Sequence, residues 1–536
     1  MLRPEQEHEF FNYTTGRFLW NERARLIERH HTFNVAELCL RVSKACGKER
    51  HHITSVDKSA EGGWHRIFTV AFKDGTEVIA RLPYPCNLPK RYSTLSEVAT
   101  MAFLDQHGIP VPKVYDWSAT ADNSVGSEYI IMEKVQGTDL HKTWYSMTVG
   151  ERLQIVERIV RLERVLFDIS LPAYGSIYFK DSLSPGTPTV DIPSHANSDG
   201  SPRFCIGPST ELLWWYSHRD KLGANSGPWF DSAEVLEAVG KRELLWLEKF
   251  GRPRYPQESI YRPVYDYQKV EPEVQRKSLE DYLKIARFLV PDNEEMNRPT
   301  IRHPDLSPSN IFISTRGEIA GMIDWQHCVV LPLFLQAKIP SHFENYGDED
   351  SEMHRQPKLP DNFNSLPDED KAIQEEIYRK RQLHFFYLGA TSHMNRLHYS
   401  ALRSNQFTYV SRLYNAARNP WEGDNTTLKA HLIPIITTWP KVCRKDAPDC
   451  PVHYSEEEIK ECLRRHEKQL EIDQGMQGMR NFVGVNPEGW VDNDEYEEAK
   501  KKAADIKAQW IAEAESEFER KDIEENFPLQ DHEEID

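Results

Sequence analysis

The 536-residue chain has no CxxC pair, no His/Cys cluster at zinc spacing and no apolar run near the length of a membrane span. Its eight scattered cysteines therefore read as free thiols of a reducing compartment. Cys443 and Cys450 lie close together, yet nothing extracellular supports pairing them. Positive charge is scarce as well. Against 84 Asp and Glu stand 66 Lys and Arg, a formal net charge of -18. That balance argues against an extended nucleic-acid or anionic-membrane surface. The opening residues carry early acids and lack both a secretory apolar core and an Arg-rich transit pattern, so an intracellular, cytoplasmic setting is the expectation from residues alone. There are no internal repeats.

What is present suffices for a large globular fold: 39% hydrophobic residues over a length at which one core stops growing, hence at least two lobes. Residues 34 to 46 read as a helix, Asn34 with Glu37 making a capping-box-like start and Gly47 a stop. Three antiparallel strands follow, near 52 to 58, 66 to 72 and 77 to 82, with Asp74-Gly75 as a hairpin turn. A helix capped by Ser93 ends at Gly108, and "VPKVYDW" and "EYIIMEKV" supply two more strands.

Beyond Gly137 the pattern turns helical, with apolar spacing from Leu153 to Ile169 and further helices near 230 to 249 and 275 to 290. The stretch 181 to 203 reads as an exposed loop and 340 to 371 as an acidic insertion. The expected class is α+β and bilobal. Its divisions are an N-terminal helical extension (1–50), a small lobe of antiparallel sheet plus helix (51–137), a large mainly α-helical lobe (138–440) and a C-terminal helical extension with an acidic tail (441–536).

The densest chemistry lies in "RHPDLSPSNIFIS" and "GMIDWQHC". Asp305 and Asn310 precede one strand, and a turn at 315 to 318 leads into a second that delivers Asp324. A hairpin brings Asn310 and Asp324 to one end while Asp305 projects from the preceding loop. Two carboxylates and an amide oxygen make a hard site suited to Mg²⁺ and phosphates, with one Asp free to take a proton from an attacking hydroxyl. A polar hairpin beside a core, with His303 merely buried, is the bland alternative.

H-x-D-x4-N followed by I-D-W resembles the catalytic signature of the aminoglycoside phosphotransferase family of the protein-kinase-like superfamily. The resemblance implies Asp305 as catalytic base, His303 as the histidine bracing its loop, and Asn310 and Asp324 as metal ligands. In the small lobe it implies Arg81 on the third strand where kinases carry lysine, Glu97 as the helix carboxylate that positions it, and Gly62 and Gly63 as a phosphate loop. The hinge at Glu133 to Val135 would meet the adenine. "FNYTTGRFLWNE", "GSIYF" and "IDWQHCVVLPLFLQAKIP" further resemble a fungal branch, the altered inheritance of mitochondria protein 9 family, which implies a mitochondrial setting that the N-terminus does not.

The expected function is an ATP- and Mg²⁺-dependent phosphotransferase acting on a small-molecule hydroxyl, without nucleic acid. The acceptor pocket is expected in the large lobe, including 207 to 250 and the segment after 330, where acidic residues favour a cationic acceptor such as an amino sugar or amino alcohol; net charge alone does not establish it. Arginine in place of lysine supports the rival, a pseudokinase that binds nucleotide or serves as a scaffold. Trp325-Gln326 after Asp324, with no A-P-E segment following, disfavours a protein kinase.

Overall fold

The computed structural model describes residues 4–196 and 202–532. Five antiparallel strands form the small-lobe sheet: β1 (Ile53–Glu61), β2 (His65–Phe72), β3 (Glu77–Pro83), β4 (Val114–Ser118) and β5 (Tyr129–Glu133). Their spatial order is β1-β2-β3-β5-β4. Asp74-Gly75 turns β2 into β3, with Gly75 at φ +83°, a conformation glycine takes without a Cβ clash.

Side chains alternate across this sheet, and both faces are covered. Val78, Ala80 and Leu82 of β3 pack with Phe68 and Val70 under the N-terminal helices, against Phe10 and Leu38. Leu38 lies on α1 (Val35–Ala45), which starts as expected: the Asn34 side chain accepts from the Glu37 amide at 3.1 Å. The other face meets α2 (Tyr92–Gln106), where Val98 and Met101 join Ile130 and Met132. Period two therefore turns Ile79 and Arg81 of β3 toward α2. Ser93 does not cap α2. It lies buried within the first turn, and Arg91 at φ +66° is the capping position.

The large lobe is mainly helical. Its α3 (Val149–Asp168) is closed at the start by a capping box between Thr148 and Glu151. Among its longer helices are Ser232–Phe250, Pro272–Ile285, Asp368–Met394 and Asn405–Arg418. The expected loop at 181–203 contains a strand, Val190–Ala196, paired with Pro202–Gly207. Its residues 197–201 lie outside those described, as do 533–536 of the acidic tail. The 340–371 insertion holds only short helical turns before Asp368. All eight cysteines are free. No described helix is long and apolar enough to cross a membrane.

The two ends of the chain meet. Arg17–Phe18 pairs antiparallel with Trp490–Val491, and Trp20 is buried with Met476, Val483 and Tyr496. This clasp reaches the β1–β2 turn through Glu61, whose side chain has no solvent exposure. Its carboxylate accepts from the Thr14 and Thr15 amides at 2.8 and 3.1 Å and from Arg66 Nε at 2.8 Å. Gly16 is needed for the contact, because a Cβ there would stand 2.2 Å from Trp490 Nε1. Gly16→Ala should therefore force the indole aside and cost about 1–3 kcal/mol by overpacking, read as a lower urea midpoint; an unchanged midpoint would show that the clasp adapts freely.

Candidate active site

Strands β6 (Ile311–Ile313) and β7 (Ile319–Met322) form the expected hairpin, with Ile311 opposite Met322. Its turn is closed by the Ser314 amide donating to the Glu318 carbonyl at 2.8 Å. At the open end the Ile323 amide donates to the Asn310 carbonyl at 2.9 Å, so Asn310 and Asp324 adjoin. Asp324 sits at φ +64°, a left-handed conformation that is uncommon outside glycine and recurs at functional sites.

The loop before β6 is fixed from both sides. His303 Nε2 donates to the Ile323 carbonyl at 2.9 Å, and Nδ1 accepts from the Asp305 amide at 3.2 Å. These bonds suit the neutral ring, and burial holds the imidazole pKa below its ordinary value. Asn310 Nδ2 donates to the Asp305 carbonyl at 2.9 Å and to its Oδ2 at 3.0 Å. Asp305 is thereby held in place while staying exposed. Behind it, buried Arg302 donates to Glu163 Oε1 at 2.9 Å and to the Gln336 carbonyl at 2.9 Å, pinning the loop to α3. Removing one partner of such a buried pair typically costs about 3–5 kcal/mol.

Arg81 crosses between the lobes. It pairs with Glu97 of α2 and donates to Asp324 Oδ1 at 2.7 Å. The same nitrogen reaches His65 Nδ1 at 2.9 Å and Gln326 Oε1 at 3.3 Å, and Gln326 Nε2 donates to Asn87 Oδ1 at 2.7 Å. Burial pushes the Glu97 carboxyl up to about 7, against the opposing pull of Arg81. The pair is buried and is not a surface salt bridge.

Gly62 and Gly63 form the β1–β2 turn. Gly62 donates its amide to the His65 carbonyl at 2.9 Å, and a Cβ on Gly63 would meet open space. At the hinge, the Glu133 amide donates to the Lys113 carbonyl at 2.8 Å and its carboxylate accepts from the Lys113 amide at 3.2 Å. That amide is thus committed within the small lobe. The Val135 side chain packs over Gly321 of β7, where a Cβ would stand 2.7 Å from it.

Sequence reasoning missed His65, Gln326 and Asn87 around Arg81. The only signal for them was adjacency, His65 following the glycine pair and Gln326 following Asp324-Trp325. Among the described residues no group of three or more His, Cys, Asp or Glu side chains converges as a metal cluster. The oxygens at the hairpin end come from one carboxylate and one amide, a sparse set that fits Mg²⁺, an ion that keeps waters and shares substrate phosphates.

The family model described as the phosphotransferase enzyme family, abbreviated APH, matches residues 59–334, just over half of the 536-residue chain. The chain belongs to this family. The matched span includes every candidate residue from Gly62 to Asp324 and leaves out most of the terminal clasp. This phosphotransferase-family chain is also similar to a subtelomeric hrmA-associated cluster protein of Aspergillus fumigatus, 29% identical over 90% of this chain and 98% of that protein. The altered inheritance of mitochondria protein 9 of Saccharomyces cerevisiae is 27% identical over 55% of this chain. The match spans about half of that relative, 51% of its length. A solved streptomycin–ATP–APH(2")-IIa ternary complex aligns over 76% of this chain and 98% of its own, at 12% identity and a TM-score of 0.32.

His65 accepts from a guanidinium, and burial, with Arg81 and His327 adding to it, holds its pKa well below the ordinary 6.5. Its contribution to stability is present above that value and is lost as pH falls below it, because the unfolded ring then binds a proton that the folded one refuses. Wild type should lose about 1 kcal/mol more than His65→Gln between about pH 7.5 and about pH 5.5. Parallel urea titrations at the two pH values check this, and equal losses would remove His65 as the cause.

Proposed function

We propose that this chain is an ATP- and Mg²⁺-dependent phosphotransferase whose acceptor is a hydroxyl of a small molecule. The observation that carries the reading is the placement of Asp305, Asn310 and Asp324 at one end of the β6–β7 hairpin, with Arg81 joining that end to Glu97. Membership of the phosphotransferase family supports it.

In this reading the exposed Asp305 carboxylate orients the acceptor hydroxyl and takes its proton as the oxygen attacks the γ-phosphorus, and ADP departs. Asn310 would hold Asp305 through its amide nitrogen and meet the metal through its amide oxygen, and Asp324 would be the second ligand. Mg²⁺ bound there supplies charge neutralisation to the phosphates. Arg81, fixed by Glu97, would contact the phosphates, the turn at Gly62 and Gly63 would lie over them, and the hinge at Glu133 and Val135 would border the adenine. The names of the protein 9 relatives support a mitochondrial setting.

A second reading has its own observation. Asp324 Oδ1 is bonded to the arginine that stands in lysine's place, which would suit a protein that binds nucleotide without transferring phosphate.

Thermal shift with Mg²⁺–ATP is the first test. Asp324→Ala should abolish the Mg²⁺-dependent stabilisation and Asp305→Ala should keep it. ADP release in the presence of a yeast metabolite extract should fall by about 10²–10⁴ in Asp305→Ala. A folded wild type that binds Mg²⁺–ATP yet releases no ADP would move the assignment to the non-transferring reading. Absence of any Mg²⁺–ATP stabilisation would overturn both.

A further inference from the structure

Against the catalytic loop lies a cavity of about 300 Å³ whose wall includes His303, Pro304, His327, Glu211, Lys338 and Arg418. Its charge runs opposite to that of the chain. Arg302, also in the wall, is neutralised by Glu163 at 2.7 Å, and Arg418 by Glu211 at 2.7 Å. Lys338 has no such partner. Among the described residues no carboxylate or carbonyl bonds its ammonium, which is open to solvent within the cavity. Its charge therefore stands beside two arginines with no described carboxylate within ion-pair distance, Glu211 and Glu344 acting on it only from farther off.

Two further groups in this wall lack partners. Arg418 Nε is a buried donor with nothing to bond. His327 donates Nδ1 to the Thr210 carbonyl at 2.7 Å, so its Nε2 is a lone-pair acceptor, and that atom too is buried without a partner. Buried polar groups are normally satisfied, and those that are not need an explanation. Both atoms are covered and lie behind the cavity surface, so the group presented to a ligand is the Lys338 ammonium, which calls for an anion.

We propose that the acceptor is a small hydroxylated acid, its carboxylate or phosphate bound by Lys338 and its hydroxyl presented to Asp305. This rests on the phosphotransferase reading above for the word acceptor, and it reverses the expectation of a cationic amino sugar or amino alcohol drawn from acidic residues of the large lobe. The reversal has a physical basis. Charge on a distant surface is screened within about 10 Å, whereas a cation in the wall of a cavity acts on its ligand directly. Enclosure by the cavity wall, with Arg302 and Arg418 adding to it, holds the Lys338 pKa below its ordinary value although the side chain stays exposed, while Glu211 and Glu344 oppose the shift from beyond ion-pair distance. A bound anion would relieve that penalty, and an ammonium would add to it.

The test uses the full chain with Mg²⁺ and a non-hydrolysable ATP analogue, so that nucleotide phosphates occupy their own site. Inorganic phosphate, acetate and ethylammonium are titrated separately by calorimetry into wild type, Lys338→Met and Lys338→Arg. Saturable binding of phosphate or acetate is expected in wild type, weakened by at least about tenfold in Lys338→Met and retained in Lys338→Arg. Which anion binds identifies the acid as phosphate ester or carboxylate. Binding of neither anion, binding unchanged in Lys338→Met, or preference for ethylammonium would overturn the proposal. The analogue's own heat is read in the same cell. Its absence would count against the phosphotransferase reading and leave the anion result to decide the cavity separately.

Discussion

One guanidinium organises this molecule. Arg81 leaves β3 on the face that the strand's period assigns to α2, meets Glu97 there, and continues across the cleft to Asp324. Taking a charge out of water is costly, and the arrangement persists because each acceptor around it is held by something else. Glu97 is set by the helix, Asp324 by the hairpin end, and Gln326 by Asn87. His65 contributes a neutral ring nitrogen, which requires its proton on Nε2. The contacts couple the turn, the small-lobe helix and the large-lobe hairpin, so none of the three can shift without disturbing an ion pair or a hydrogen bond of Arg81. Arginine matters here in its own right, since a lysine ammonium lacks the planar fork that serves Glu97 with one nitrogen and three acceptors with the other.

A second constraint comes from the chain ends. In the β1–β2 turn the two glycines bring no side chain, and Glu61 just before them is fixed by the Thr14 and Thr15 amides, Lys58 and Arg66. Arg66 in turn donates to the Phe10 and Arg29 carbonyls. Asn493 closes the circuit by donating to the Thr14 carbonyl at 2.8 Å from 479 positions away. The terminal segments thus act on the turn through backbone amides and one buried carboxylate, although the family match begins only at residue 59.

How much of this was legible in the sequence follows from the range of each interaction. The small-lobe strands and α1 are written in local alternation and capping, and they formed within a few residues of expectation. Arg81 and Glu97 were legible through the family resemblance, which sets a strand cation against a helix carboxylate, and in the structure the two pair. The strand Val190–Ala196 was hidden by its composition: "VDIPSHA" has a proline and polar residues where a strand would alternate, and its pairing with Pro202–Gly207 supplies what propensity does not. The clasp was invisible for a different reason. Two-residue strands carry no periodic signal, and their partners lie at opposite ends of the chain. His65, Gln326 and Asn87 belong to tertiary contacts that no local pattern encodes.

The cavity shows the same limit for electrostatics. A formal charge of -18 describes what a distant ion feels and does not by itself set the charge of the ligand. Inside the large lobe the relevant count is three cations against the carboxylates that reach them. Glu163 and Glu211 reach two, and Lys338 is left over. Those carboxylates are supplied by α3 and by the segment after Pro202–Gly207, far from the motif in sequence, so composition could not reveal which cation would stay unpaired. Net charge governs approach and solubility, and local pairing governs the ligand. Where the two disagree in sign, the local pairing decides what can be held beside Asp305.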